Sequence, residues 1–139
     1  MVVTRDGRTV IAGDQEVLRV LTLDPATGEL AARGCVARVA TAGCQRAPAP
    51  FFNDLALTPD GRRLVVADLD SIRAYRLAAD GTLTAGTGPG ACVSRIRVAG
   101  CTLLPKQARE GSIGALASSP DGLWLYSTGE RSLAVALSG

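Results

Sequence analysis

Four cysteines stand in two brackets of equal spacing, Cys35 with Cys44 and Cys92 with Cys101. Three chemistries are open to such residues: metal ligation, thiol reactivity and disulfide bonding. Structural zinc sites set paired ligands about two to four residues apart on a tight knuckle. Eight residues lie between the members of each pair here, a length that suits a closed hairpin loop, so Cys35–Cys44 and Cys92–Cys101 are the expected bridges. In the chain-entropy picture, closing so short a loop contributes about 2–3 kcal/mol. Disulfides persist in oxidising compartments, so the pairing implies an exported protein, extracellular or held in the cell envelope.

Other chemistry is harder to assemble. Histidine is absent, which removes the commonest general base, the usual Ser/His and Cys/His activation schemes and the most frequent zinc ligand. Asp14, Glu16, Asp68, Asp70 and Glu130 could offer oxygen ligands to Ca²⁺. They lack the alternating register of an EF-hand, and acids are ordinary in solvated turns, so neither metal nor cofactor is expected. Tyr75, Trp124 and Tyr126 could form a sugar platform, but they fall inside β-rich runs whose alternate positions face neighbouring sheets. Core packing is the expectation for all three. The stretch from Gly86 to Gly90 shares only its glycine content with a phosphate loop, lacking the Gly-Lys-Ser/Thr ending and a following helix; it reads as a bend before Cys92. Phe51 and Phe52, after Pro48-Ala49-Pro50, read as a plug at the entry to the next unit.

The elements that position these residues repeat. Cys35-Val-Ala-Arg-Val-Ala-Thr-Ala-Gly-Cys44 recurs, 57 residues on, as Cys92-Val-Ser-Arg-Ile-Arg-Val-Ala-Gly-Cys101. Asp6-Gly7, Asp60-Gly61 and Asp121-Gly122 each precede an apolar run: Thr9 to Ala12, Leu64 to Ala67 and Trp124 to Ser127. Asp-Gly between β-rich runs signals a hairpin, since its turn needs positive φ angles that Gly and Asp tolerate. Second runs follow at Val17 to Leu23, Ile72 to Leu77 and Leu133 to Leu137. Turns at 24–28 and 79–81 then lead into short fourth runs. Helix is disfavoured, because Val, Ile and Thr crowd the runs and a Gly, Pro or Asp-Gly breaks the chain about every 8 to 12 residues. Lys106 to Glu110 is the longest helix-like stretch. Four-strand units at a period above about 50 residues read as β-propeller blades. A β-sandwich fits the strand spacing but would not repeat the same loop after the same strand. The expected fold is therefore all-β, with blade 1 at about 1–48, blade 2 at about 51–105 and a partial blade 3 at about 112–139. Eleven strands do not close a ring, and the chain opens partway through a repeat, so a piece of a larger ring is expected. Its open edges would invite self-association.

The cassette Asn53-Asp54-Leu-Ala-Leu-Thr-Pro-Asp-Gly-Arg-Arg-Leu-Val-Val-Ala67, with Ile72-Arg-Ala-Tyr-Arg-Leu77 and Asp80-Gly-Thr-Leu83 behind it, resembles the seven-bladed lactonase-like propellers. Those are related to the YVTN-repeat and cycloisomerase-like families. Ala117-Ser-Ser-Pro-Asp-Gly-Leu-Trp-Leu-Tyr126 carries the same pattern. A variant with a Gly-Cys…Gly-Cys loop between blades, met mainly in exported proteins of GC-rich soil bacteria, is similar in the cysteine brackets. The resemblance implies that this loop joins the outer strand of one blade to the inner strand of the next. It then shares a face with the loops at 13–16, 68–71 and 129–131, gathering their acids with Arg38, Arg95 and Arg97.

The resemblance is specific for fold and weak for activity, because strand and turn residues are what any blade needs. None of the family's catalytic motifs can be matched residue by residue. The expectation is a non-catalytic extracellular module that binds a protein or cell-envelope ligand; the alternative is a fragment of a lactonase-like or cycloisomerase-like enzyme. Net charge is +2, from 15 basic and 13 acidic residues spread along the chain, so no patch announces nucleic acid. No run approaches the roughly 18 consecutive apolar residues that a membrane span needs, and Met1 to Gly7 lacks the basic-then-apolar pattern of a signal peptide.

Overall fold

The computed structural model describes residues 1–46, 52–88, 90–129 and 133–136. Three antiparallel sheets follow one another along the chain. Sheet I runs β1 (Val2–Val3), β2 (Thr9–Gly13), β3 (Val17–Leu23) and β4 (Leu30–Ala37), with β5 (Gln45–Arg46) added in parallel to β4. Sheet II holds β6 (Asp54–Leu57), β7 (Arg63–Ala67) and β8 (Ser71–Leu77), whose outer edge is shared by β9 (Leu83–Ala85) and β10 (Cys92–Ser94). A parallel β11 (Thr102–Leu103) lies beyond β10. Sheet III is β12 (Ile113–Ser118), β13 (Trp124–Gly129) and β14 (Leu133–Ala136). A single 3₁₀ turn, Lys106–Ala108, is the only helical piece among the described residues.

The strand count exceeds the expected eleven for a local reason. After each cysteine loop the chain returns beside the strand it left, pairing Val36 with Gln45 in one sheet and Val93 with Thr102 in the other. The outer strand of sheet II is also interrupted. In sheet I two residues, Arg33-Gly34, continue the strand past a bulge opposite Val20 and Leu21. In sheet II the chain instead makes an excursion between Gly86 and Ala91, both of which stay hydrogen-bonded to Ala74, and β8 pairs with both halves. The predicted bend before Cys92 is this excursion; Pro89 within it lies outside the described residues.

The three Asp-Gly turns sit at hairpin tips, as the spacing predicts, but only the glycines adopt positive φ: +70° at Gly7, +68° at Gly61 and +72° at Gly122. The aspartates act through their side chains. Asp60 accepts the Thr58 hydroxyl at 2.6 Å and the Arg62 amide at 3.0 Å, while the Arg63 amide donates to Thr58 Oγ1 at 3.1 Å. Thr4, Asp6, Arg8 and Thr9 build the same network in sheet I, and Ser119, Asp121, Leu123 and Trp124 build it in sheet III. A hydroxyl two residues before the aspartate is thus as much part of the motif as the glycine after it.

Two cores lie between the sheets. Ile11, Leu18, Val20 and Val36 of sheet I meet Leu55, Leu64, Val66, Tyr75 and Leu83 of sheet II, together with Phe52. Phe52 is the buried half of the predicted plug; Phe51 and 48–50 lie outside the described residues. On the other side of sheet II, Ala56, Val65, Ile72, Val93 and Leu104 meet Ile113 and Leu125 of sheet III. Period-2 alternation decides which side chain enters which core. The sheets are also pinned by polar groups. Leu116 N donates to Asp54 Oδ2 at 2.6 Å, Asn53 Nδ2 donates to the Ile113 carbonyl at 3.2 Å, and the Ser118 hydroxyl donates to the Leu57 carbonyl at 2.7 Å. Between sheets I and II the backbones approach closely. A Cβ on Gly34 would lie 2.9 Å from the Gly81 carbonyl oxygen, and one on Gly81, whose φ is +88°, would lie 2.6 Å from Arg33 Cβ.

Candidate functional site

The loops at one end of sheets I and II are built alike. Cys35 is bonded to Cys44, and Cys92 to Cys101, with Cα separations of 4.7 and 4.6 Å. Inside the first loop Cys44 N donates to the Thr41 carbonyl; inside the second Cys101 N donates to the Val98 carbonyl, both at 3.1 Å. The sulfurs differ in surroundings. Cys35 and Cys44 are half-buried, whereas Cys92 is buried and Arg73 Nη2 lies 3.4 Å from Cys101 Sγ.

Beside each disulfide loop stands the hairpin joining the second and third strands. Asp14 Oδ1 accepts the amides of Glu16 and Val17 at 2.7 and 2.8 Å, and Asp68 Oδ1 accepts those of Asp70 and Ser71, each at 2.6 Å. Asp68 Oδ2 takes the Ser71 hydroxyl as well, at 2.5 Å. The next acid in each hairpin reaches the cysteine loop: Arg38 Nη2 to Glu16 Oε1 at 2.9 Å, Arg95 Nη2 to Asp70 Oδ1 at 2.6 Å. In both sheets the arginine's own amide donates to the carbonyl of the acid it pairs with. Ion pairs this exposed stabilise by about 0–1 kcal/mol each, so their main consequence is to fix one loop against the other.

The predicted gathering of acids and arginines on one face therefore occurs as ion pairs for Glu16 with Arg38 and Asp70 with Arg95; Arg97 is exposed. Glu130 and Arg131 lie outside the described residues. Of the acids weighed for Ca²⁺, Asp14, Asp68, Glu16 and Asp70 each have an oxygen engaged in turn amides or ion pairs, and among the described residues no group of three or more acids or cysteines gathers to hold a metal. The aromatic expectation holds for Tyr75 alone. Tyr75 is buried between sheets I and II, but Trp124 is 45% and Tyr126 49% exposed, because they point to the side of β13 that no described sheet covers.

Structural comparison fits this geometry. Over 96% of this chain, the backbone is similar to the periplasmic gluconolactonase PpgL of Pseudomonas aeruginosa, at TM-score 0.60 and 19% identity. Over 99% it is similar to the β-propeller domain of Cps50 (Swd1) from Myceliophteria thermophila, at TM-score 0.62 and 14% identity. The sheets are β-propeller blades. A putative 6-phosphogluconolactonase of Bacteroides fragilis is similar over 92% of the chain, at TM-score 0.51 and 20% identity. The chain spans 38%, 39% and 33% of these three proteins, and identities this low carry the fold alone. No family model and no curated protein sequence matches.

At the opposite end of the blades, between the first two, lies a cleft of about 560 Å³ lined by Thr4, Thr9, Thr22, Arg33, Arg62 and Arg76 among others. Its lining contains no carboxylate and no thiol; Arg33 Nε donates to Thr22 Oγ1 at 2.9 Å. The cleft offers positive charge and hydroxyls, without a base to activate them. Asn53 and Asp54, which tie the second blade to the third, escaped functional reading of the sequence. Their partners lie about 60 residues on, and no copy of the pair occurs elsewhere in the chain to mark it.

At the Asp-Gly turns the carboxyls are held below the usual carboxylate range. The Thr4, Thr58 and Ser119 hydroxyls are the largest cause at Asp6, Asp60 and Asp121, followed by the backbone amides they accept. A folded-state value depressed below the ordinary 3.8 means the native chain binds fewer protons than the unfolded one. Stability is then fully present above about pH 4 and is lost as pH falls through the depressed values. The midpoint of thermal unfolding should stay level from about pH 7 to 5 and drop below about pH 4. In the triple variant Asp6→Asn, Asp60→Asn, Asp121→Asn the acid drop should be shallower, and an unchanged slope would remove these turns from the acid response.

Proposed function

We propose that the chain is a non-catalytic propeller scaffold of an exported protein, whose disulfide-pinned loops present a rigid binding face to a protein or cell-envelope ligand. In this reading the successive blades are about 1–48, 51–105 and a partial third at about 112–139. One observation carries it: on the face of the cysteine loops, Asp14, Glu16, Asp68 and Asp70 are spent on holding loops in place. Asp14 and Asp68 close their own turns, and Glu16 and Asp70 anchor the cysteine loops. What projects from those loops is apolar as well as charged, since Val39 and Ile96, at matching places in the two brackets, are exposed, as is Leu69. Such crests suit contact with a partner surface better than bond-breaking chemistry. The two disulfides and their inter-blade placement support an oxidising compartment.

Lactone hydrolysis tests the reading. Gluconolactone incubated with the oxidised chain, with and without added Ca²⁺, should disappear at the buffer rate. Turnover above that rate would favour the lactonase-like alternative, most directly if Ca²⁺ were needed for it.

A further inference from the structure

Arginines at the two ends of the blades are employed differently. At the cysteine-loop end Arg38 and Arg95 are ion-paired with Glu16 and Asp70. At the opposite end Arg33, Arg62 and Arg76 line the cleft between the first and second blades, and none of the three is ion-paired among the described residues. The aspartates nearby are engaged in their own turns: Asp6 accepts the Arg8 amide, Asp24 that of Ala26, Asp60 that of Arg62 and Asp80 that of Thr82. Glu29 borders Arg33 outside the cleft, without forming an ion pair. Both walls of the cleft come from residues between Thr4 and Gly81, in the two blades whose strands are fully described.

Two of these arginines are placed by the fold itself. Arg33 is the extra residue of the β4 bulge, since Leu21 pairs with Ala32 and Val20 with Gly34, and a bulge re-aims a side chain out of the ladder. Its Nε donates to Thr22 Oγ1 at 2.9 Å. Its stem packs on the turn of the second blade, where a Cβ on Gly81 would lie 2.6 Å from Arg33 Cβ. The Nη groups make no hydrogen bond among the described residues. Arg62 stands opposite Leu77, whose amide donates to the Arg62 carbonyl at 2.8 Å. Cross-strand partners share a side, and Leu77 packs against the core between the first two blades, so Arg62 faces the first blade. The next junction differs: Leu123 takes the place of Arg62, and the cleft of about 330 Å³ there includes Asp60 and Asp121 in its lining. A cationic cleft is therefore particular to the first junction, not a necessity of the repeat.

We propose that the cleft between the first two blades binds the phosphate group of a small phosphate monoester, held by Arg33 and Arg62. A guanidinium presents parallel N–H donors that match phosphate oxygens. A phosphate monoester carries about −1.5 to −2 charge at neutral pH, so an acid-free lining with several arginines matches it better than it matches the single charge of a carboxylate. The volume of about 560 Å³ lies within the range of small-molecule sites, and Val20 and Leu77 offer an apolar wall to the organic part. With no carboxylate or thiol in the lining, the cleft binds the ester without a base to cleave it. It lies away from the cysteine loops, and the inference goes beyond the scaffold reading without depending on it.

Titration of the oxidised chain with glycerol 3-phosphate, followed by NMR at the arginine Nε–Hε and backbone amide signals, tests the proposal. Saturable binding should move the signals of Arg33, Arg62, Gly61 and Gly81. Glycerol should move none of them, and glycerate, with one negative charge, should bind more weakly than the phosphate. Arg33→Gln and Arg62→Gln should each weaken glycerol 3-phosphate binding about tenfold or more, the loss of a charge-assisted hydrogen bond. Arg95→Gln removes the same charge from the ion-paired end and should leave the affinity unchanged. Arg33 and Arg62 are exposed, which favours retention of the fold; circular dichroism checks this, and Arg62→Gln carries the test alone should Arg33→Gln unfold. Absence of saturable binding, glycerate bound as tightly as the phosphate, or an equal loss of affinity in Arg95→Gln would each overturn it.

Discussion

Leu64→Ala lowers the unfolding free energy by about 2–5 kcal/mol, the range for emptying a large aliphatic site in a packed core. Leu64 is fully buried in β7, paired across its ladder with Leu57 on one side and Tyr75 on the other. Its side chain meets the first blade in the cluster that includes Ile11, Leu18 and Val20. Two sheets face each other there, each held by its own hydrogen-bond ladder, and the Gly34–Gly81 approach limits how they can close on a cavity. The cost should therefore fall in the upper half of the range. Leu30→Ala is the control: the same chemical change at an exposed position of β4 should cost only about 0–0.5 kcal/mol, as surface substitutions do. Urea unfolding measures both, and an unchanged slope with a shifted midpoint assigns the loss to stability. Equal costs for the two variants would mean that the first and second blades do not share a core.

The features legible in the sequence are those written locally. The run from Thr9 to Ala12 is β2 with one residue added, and the run from Ile72 to Leu77 is β8 with Ser71 before it. Period-2 alternation and the Asp-Gly punctuation need no distant partner, so strands and hairpins emerge from neighbouring residues alone. The cysteine brackets were legible because their spacing is short enough for geometry to favour pairing within each bracket. Contacts between blades were not. Alternation predicts that Tyr75 and Tyr126 each face one side of a sheet, but whether that side is covered depends on a second sheet many residues away. Tyr75 is covered and Tyr126 is not. The aspartate of each Asp-Gly turn uses its carboxylate and not a positive φ, and the signal for this, a Thr or Ser two residues earlier, is present in all three copies. Excursion of the chain between Gly86 and Ala91 is a further nonlocal outcome, since one strand, β8, accepts two partners in succession.

Removing the two disulfides separates what loop closure contributes from what the buried Cys92 and its surroundings contribute. Both bridges span the same sequence separation of 9, so the chain-entropy term is equal for each, about 2–3 kcal/mol. Cys35→Ala with Cys44→Ala should cost about that much, because its sulfurs are half-exposed and their loss leaves little void. For Cys92→Ala with Cys101→Ala the cost should be larger by about 1–2 kcal/mol. Cys92 is 2% exposed, and the buried Arg73 guanidinium would lose its sulfur neighbour while its Nε already has no partner. A charged side chain left with fewer contacts in a buried site is destabilising beyond the deleted atoms. Reduction should follow the same order, since thiolate attack requires access to a sulfur: a mild dithiol opens Cys35–Cys44, half-buried at both ends, faster than Cys92–Cys101, where Cys92 is buried and Arg73 Nη2 lies 3.4 Å from the Cys101 sulfur. Peptide mapping of alkylated cysteines during reduction, together with unfolding midpoints of the two double variants, measures both effects. Equal costs and simultaneous reduction would mean that Arg73 and the surrounding core do not support the second bridge, leaving loop closure as the sole contribution of each.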